Sequence, residues 1–271
     1  TGVQTCALPI SEDQLKLTYH TQPALLVTCL AYYAKIAEAG VRPDYFAGHS
    51  LGEYTALAAA GAIGFEDAVR LVRKRGEFMD QAVPAGEGAM AAVLGAEREA
   101  LAALCGSVSK EAGPVELANV NCPGQIVVSG SAAGVRAVAE RGREAGAKRV
   151  IPLEVSGPFH SSLMKPAAEK LAGELEAAAW RDAAVPVVAN VTAEPVTDAA
   201  QIRRLLVEQV YSPVLWEDCV RRMIEDGVDT FVEVGPGSVL TGLIRKIDRD
   251  ARTVNLNTAE AVDNWLKEVR P

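Results

Sequence analysis

The stretch Tyr45-Phe46-Ala47-Gly48-His49-Ser50-Leu51-Gly52-Glu53 decides how this chain is read. Tyr45 to Ala47 lead in as a short apolar strand, and Glu53 to Ala60 lead out as good helix formers. Between them, Gly48 to Gly52 fit the Gly-x-Ser-x-Gly pattern of a nucleophile elbow. A strand, a sharp turn and a helix set a serine hydroxyl at the tip of a sheet, with the positive end of the helix dipole aimed at it. The glycines are needed because the turn brings backbone segments too close for side chains. The plain alternative is a glycine-containing turn, and the five-residue pattern alone is weak. The flanking strand and helix are what give it weight.

Working outward, the 271 residues allow one large domain or two unequal ones. An apolar content of 49% with few aromatics suits an α/β protein with a sizeable core. A net charge of −8 argues against general nucleic-acid binding. The cysteines (Cys6, Cys29, Cys105, Cys122, Cys219) form no Cys-x-x-Cys pair, which predicts reduced thiols and a cytoplasmic protein. The histidines (His20, His49, His160) lack metal-ligand spacing, so no metal or resident cofactor is expected. No apolar run is long enough to span a bilayer, so no membrane partner is expected. Residues 1–10 differ in character from the rest of the chain and are read as foreign sequence.

Periodicity predicts a helix over 22–39, opened by Pro23 in its first turn and stopped at Gly40. Leu25, Leu26, Val27, Leu30, Ala34 and Ile36 cover most of its faces, which predicts a well-buried helix. A second helix is predicted over 66–83, with Ala68, Leu71, Val72, Met79 and Ala82 in one apolar stripe. Strands are then predicted at 89–94, 115–120, 125–129 and 149–155, with helices at 97–105 and 132–144. That order is two βαβ halves, the ferredoxin-like pattern. Helices follow at 163–179, 200–210, 216–226, 239–247 and 259–269, with apolar strands at 185–191, 230–234 and 253–257. Alternating helices and apolar strands imply a mostly parallel sheet flanked by helices. The predicted organisation is a core of 11–86 and 153–271 interrupted by a small subdomain at 87–152.

A serine needs a base. His160 is the best candidate, because Gly157-Pro158-Phe159-His160 forms a loop directly after a strand, where reactive groups are commonly presented. A surface or capping histidine is the alternative. His49, next to Ser50 in the elbow, is expected to point away from it. Arg75 falls in the apolar stripe of its helix, while Arg70, Arg73, Lys74 and Glu77 lie on the other face. An inward arginine must find an anion. Spacing favours an internal carboxylate, and a bidentate fork for a substrate carboxylate is the functional alternative. Asn121 to Gln125 read as a turn between two strands, and Glu233 to Ser238 as a strand-to-helix turn with an anion-binding helix N-terminus as the rarer option. Gln209 has no role readable from chemistry alone.

These pieces together resemble the malonyl-CoA:acyl carrier protein transacylase family of bacterial fatty-acid synthesis. The resemblance rests on Thr21-Gln22-Pro23-Ala24, Gly48 to Glu53, Arg75 to Met79, Gly88 to Ala92, Asn121 to Gln125, Gly157 to His160, Tyr211 to Val214 and Glu233 to Gly237. It implies a hydrolase-like α/β core with a ferredoxin-like insert. It makes Ser50 the nucleophile, His160 its base, the Leu51 N–H an oxyanion-hole donor and Arg75 the clamp for the malonyl carboxylate. Gln209 would stand beside the histidine, Gln22 and Asn121 would belong to the substrate site, and Phe159 would mark a malonyl-type rather than methylmalonyl-type pocket. The implied partners are malonyl-CoA and an acyl carrier protein that brings its own phosphopantetheine. A monomer is expected. Because the carrier protein is acidic in that family, a basic patch drawn from Arg70, Arg73, Lys74, Arg245, Lys246 and Arg249 is expected to receive it.

The family also carries an upstream strand and a Gly-Gln-Gly-x-Gln loop that the matching region here does not include. The resemblance therefore implies a shortened, weakened version, since that loop supplies an oxyanion donor worth roughly 2.7–4 kcal/mol. Three other readings remain open on sequence alone. One is a serine esterase, which would want an acid behind its histidine; another is an acyltransferase domain of a megasynthase. The last is a module that binds carrier protein without turnover.

Overall fold

A computed structural model describes residues 10–269, so the reading of 1–10 as foreign falls, apart from Ile10, outside the described residues. The described residues begin with α1 (Glu12–Lys16), held by a capping box in which Ser11 and Gln14 satisfy each other's backbone N–H. Next comes α2 (Thr18–Glu38). It begins at Thr18 rather than at Gln22, so Pro23 sits inside the helix and not in its first turn. Proline cannot donate to the carbonyl four residues back, which is that of Tyr19. Arg73 compensates, donating from Nη1 to the Tyr19 carbonyl at 3.2 Å. The helix is also less buried than its apolar composition predicts: Gln22, Leu26 and Ile36 are covered, whereas Val27 is 39% exposed. It packs mainly against one layer of helices, and an apolar residue on the opposite face gains no partner there.

The elbow follows as β1 (Phe46–Ala47), α3 (Leu51–Ala59) and α4 (Phe65–Gln81). Helices α2 and α4 approach closely at Gly76, where a Cβ would lie 2.5 Å from the Tyr19 Cα. The small sheet comes next: β2 (Gly88–Leu94), α5 (Arg98–Glu111), β3 (Val115–Cys122), β4 (Gln125–Ser131), α6 (Ala132–Arg141), a 3-10 turn and β5 (Arg149–Pro152). Its order is β3-β4-β2-β5 with every pairing antiparallel, which is the ferredoxin-like arrangement expected from the βαββαβ order. The sheet and its helices enclose a separate cluster that includes Val93, Leu101, Val108, Val128 and Val138. The edge of β3 is stitched to the core, because Val120 N–H donates to the Val214 carbonyl and Val214 N–H to that of Ala118.

The core resumes with α7 (Lys165–Ala177), β6 (Val187–Val188), β7 (Pro195–Val196), α8 (Ala199–Gln209), α9 (Trp216–Glu225), β8 (Thr230–Val234), α10 (Val239–Ile247), β9 (Arg252–Leu256) and α11 (Ala259–Val269). The pairings β1–β6 and β8–β9 are parallel and β6–β7 is antiparallel. The mostly parallel sheet is thus present as two pieces, and the predicted strand 185–191 shortens to two residues. The reason lies at Asn190. Its N–H goes to the Glu53 carboxylate and its carbonyl accepts from Leu215, so the chain leaves the ladder where the strand pattern would have continued it.

Gly76→Ala is expected to force α2 and α4 apart and cost roughly 1–3 kcal/mol, the range for overpacking a tight contact. A thermal or urea melt checks this; an unchanged midpoint would mean that the helices adjust freely.

Candidate active site

Ser50 joins β1 to α3 with φ 53° and ψ −105°, a backbone conformation that L-residues rarely adopt. Two features hold it there. Gly48 admits the turn, since a Cβ would lie 2.0 Å from the Gly52 carbonyl carbon and oxygen. Asn190, fully buried, spans the turn: its Nδ2 donates to the Gly48 carbonyl at 2.8 Å, and its Oδ1 accepts the Ser50 N–H at 2.7 Å. With the Ser50 N–H taken, the free donor of the elbow is that of Leu51. Leu51 is the first residue of α3, so its N–H has no carbonyl partner within the helix.

His160 arrives from the loop after β5, itself with φ 58°. The loop is fixed from both sides. Ser161 Oγ donates to the Pro158 carbonyl at 2.7 Å, and Ser162 N–H donates to Glu116 at 2.8 Å. The Pro158 ring fits against Gly88, where a Cβ would come within 2.3 Å of it. His160 Nδ1 lies 2.8 Å from the Gln209 carbonyl, which can only accept, so Nδ1 carries the proton. Nε2 is then the acceptor and lies 2.8 Å from Ser50 Oγ. Burial, reinforced by the Arg75 charge, pushes the imidazole down to about 3, so it stands neutral with Nε2 unprotonated.

Arg75 is 2% exposed. Its Nη1 donates to Gln22 Oε1 at 2.8 Å, and its Nη2 donates to Gln209 Oε1 at 2.9 Å and to Ser50 Oγ at 2.9 Å. The guanidinium lies over the Tyr54 ring, 5.4 Å from its centroid, and its Nε has no partner. The internal carboxylate favoured by spacing is absent: among the described residues no acid lies within ion-pair distance of Arg75. A full positive charge is thus buried among neutral acceptors, directly beside a serine hydroxyl, and burial lowers its affinity for its proton.

Gln209, with no exposed surface, links these parts. Its Nε2 donates to the Ser50 carbonyl at 3.0 Å and to Glu53 Oε2 at 2.7 Å, so its Oε1 must face Arg75. Its own carbonyl orients His160. Gln22 stands at Arg75, accepting from its Nη1. Asn121 meets His49: its Oδ1 lies 2.8 Å from His49 Nε2 and so holds that ring away from Ser50 Oγ. Phe159 is half-buried and packs on Met90, Ala118 and Val127 of the small sheet. Asn190 and Glu53 were not singled out by sequence reasoning. The Glu233 carboxylate accepts the N–H groups of Leu240 and Thr241 at 3.1 and 2.8 Å, so a protein anion caps α10. Of the basic residues, Arg70 pairs with Asp67, and Arg73 and Lys74 pair with Glu77, which reduces their free charge. No cluster of three or more metal-ligating side chains occurs among the described residues.

A strained serine, a neutral histidine oriented by a carbonyl and a buried cation thus meet at the head of α3, a candidate group-transfer site. The family model described as the acyl transferase domain matches residues 4–270, and the chain belongs to that family. It is 56% identical over 258 residues to the malonyl CoA-acyl carrier protein transacylase of Bacillus subtilis, covering 95% of this chain and 81% of that one. Among solved structures, it superposes on an acyl carrier protein S-malonyltransferase from Vibrio cholerae with a TM-score of 0.91 and 43% identity, covering 94% and 83% of the two chains. A malonyl-transacylase in complex with its type II PKS acyl-carrier protein matches with a TM-score of 0.92 and 41% identity, covering 95% and 84%.

Asn190→Ala leaves the Ser50 N–H and the Gly48 carbonyl without their partner, at roughly 1–3 kcal/mol for each buried group. A lower melting temperature together with slower Ser50 acylation is expected, and a loss of neither would remove Asn190 from the elbow. A pH effect follows from His160. The unfolded side chain binds a proton below about 6.5 while the folded one resists until about 3, so the stability it contributes falls as pH drops through that window. Glu53, lifted to about 7 by burial, gains stability as pH falls over the upper part of the same window, so the readout is the difference in melting temperature between the protein and His160→Gln, which should shrink as pH falls from about 6.5 towards 3.

Proposed function

We propose that this protein moves a malonyl group from malonyl-CoA to the phosphopantetheine thiol of an acyl carrier protein, through an ester on Ser50. One observation carries the reading: the buried Arg75 guanidinium, bonded only to neutral acceptors, has its Nη2 2.9 Å from Ser50 Oγ. An acyl group with a carboxylate a few bonds from its thioester carbonyl would meet that charge just as its carbonyl reached the serine. The names of the relatives and the carrier-protein complex support the same substrates.

In the first half-reaction His160 Nε2 takes the hydroxyl proton as Ser50 Oγ attacks the thioester carbonyl. The Leu51 N–H is placed to stabilise the oxyanion. The C–S bond breaks, and coenzyme A leaves as its thiol with the proton returned from His160. In the second, His160 takes the proton of the carrier thiol, whose sulfur attacks the malonyl ester. The Ser50 C–O bond breaks and the proton goes back to Ser50 Oγ. Arg75 pairs with the malonyl carboxylate throughout, and an acetyl group would leave it unpaired. Gln22 and Gln209 hold the guanidinium in place. An esterase is disfavoured because the histidine is oriented by a carbonyl rather than an acid and a charge sits where a neutral acyl chain would go.

The same proposal covers the subdomain limits, with 87–152 as the insert between core segments 11–86 and 153–271, supported by the self-contained small sheet and its cluster. It also covers a cytoplasmic location, supported by the free thiols at Cys29, Cys105, Cys122 and Cys219. Among the described residues no helix is long and apolar enough to cross a membrane.

Intact mass after mixing with malonyl-CoA tests the reading. A malonyl adduct that disappears in Ser50→Ala and discharges onto carrier-protein thiol is expected. An adduct that survives in Ser50→Ala, or one that only hydrolyses, would contradict it.

A further inference from the structure

One buried acid has no part in the steps above. Glu53, in the first turn of α3, is 2% exposed. Its Oε2 accepts from Gln209 Nε2 at 2.7 Å and from the Asn190 N–H at 3.1 Å. Gln209 stands between this carboxylate and Arg75, with Nε2 on Glu53 and Oε1 on the guanidinium. The charge nearest to balancing the clamp is therefore one amide away and not in contact with it.

We infer that Glu53 is the resting counter-charge of Arg75 and a positioning residue for acyl selection, so that a carboxylate arriving on Arg75 drives a proton from solvent onto Glu53 whereas a neutral acyl group does not. The inference rests on the malonyl reading of the site. Its physics is that two anions around one buried cation repel each other in a medium of low dielectric, and the one able to take a proton does so. Burial already lifts Glu53 to about 7, against the opposing pull of Gln209, Asn190 and Arg75. A second carboxylate lifts it further, which means proton uptake at and above that pH.

The other titratable groups around the pair do not change charge in this window. Tyr54 on the same helix and Cys219 on α9 are pushed up by burial. His49 and His160 are pushed down, the latter to about 3. Malonyl affinity therefore falls as pH rises above about 7, because ionised Glu53 then opposes the incoming anion.

The experiment is calorimetric titration of Ser50→Ala with malonyl-CoA and with acetyl-CoA, in two buffers of different ionisation heat. Acetyl-CoA cancels any contribution from the coenzyme itself. Expected are a malonyl-specific uptake approaching one proton near pH 8, and a malonyl Kd that weakens above neutrality by no more than about tenfold per pH unit. Adding Glu53→Gln should abolish the uptake and the slope and tighten malonyl relative to acetyl binding at alkaline pH. Glu53→Asp, which keeps the charge, should keep the uptake. The inference is overturned if malonyl-CoA binds more tightly than acetyl-CoA with no extra proton uptake, a result that needs no Glu53 variant to fold. A slope that persists in Glu53→Gln overturns it equally. If malonyl-CoA is never preferred at any pH, the malonyl reading itself fails and this inference falls with it.

Discussion

The constraint on which this structure turns is a positive charge that cannot reach water. Arg75 lies in the apolar stripe of α4, and no acid touches it among the described residues. A buried guanidinium without an ion-pair partner is costly. The fold tolerates it because Gln22 from α2, Gln209 from α8 and the Ser50 hydroxyl each accept from it while Tyr54 lies beneath. Those partners come from separate elements, so the packing of α2, α3, α4 and α8 is tied to one side chain. What stabilises the resting site is weaker than what a carboxylate would provide, and on the proposed function that difference selects between acyl groups.

The elbow and the clamp are not independent devices. Gln209 meets the Ser50 carbonyl, the Glu53 carboxylate, the Arg75 guanidinium and the His160 ring. Asn190 closes the same network from the sheet side by holding both flanks of Ser50. The short strand β6 is the structural consequence: the Asn190 backbone groups that would extend a ladder go to Glu53 and Leu215, while its side chain holds the Ser50 turn. The His160 loop is held in parallel by Glu116 of the small sheet and by the fit of Pro158 against Gly88, so the ferredoxin-like insert contributes to the position of His160.

How much of this was legible in the sequence depended on range. The elbow is local, five residues between a strand and a helix, and it could be read directly. The small sheet followed from alternating periodicities. Arg75 was found because a charged residue interrupted an apolar stripe. The same test applied to α3 would have found Glu53, which stands at helical spacing from Ala56, Leu57 and Ala60, all buried. A lone Asn190 in an otherwise apolar run carried a similar signal. What spacing could not supply was the partner of each group, since Asn190 and Gln209 meet Ser50 across 140 and 159 residues. Local pattern likewise misplaced the start of α2, because the carbonyl freed by Pro23 is satisfied by Arg73 from a different helix.

The most direct measurement is the rate of Ser50 acylation by malonyl-CoA and by acetyl-CoA, in single turnover, for the protein and for Arg75→Ala. Removing the guanidinium should slow malonyl transfer, relieve the penalty on acetyl transfer, and so reverse or abolish the preference. A malonyl preference that survives in a folded Arg75→Ala protein would show that selection resides elsewhere and would contradict the account.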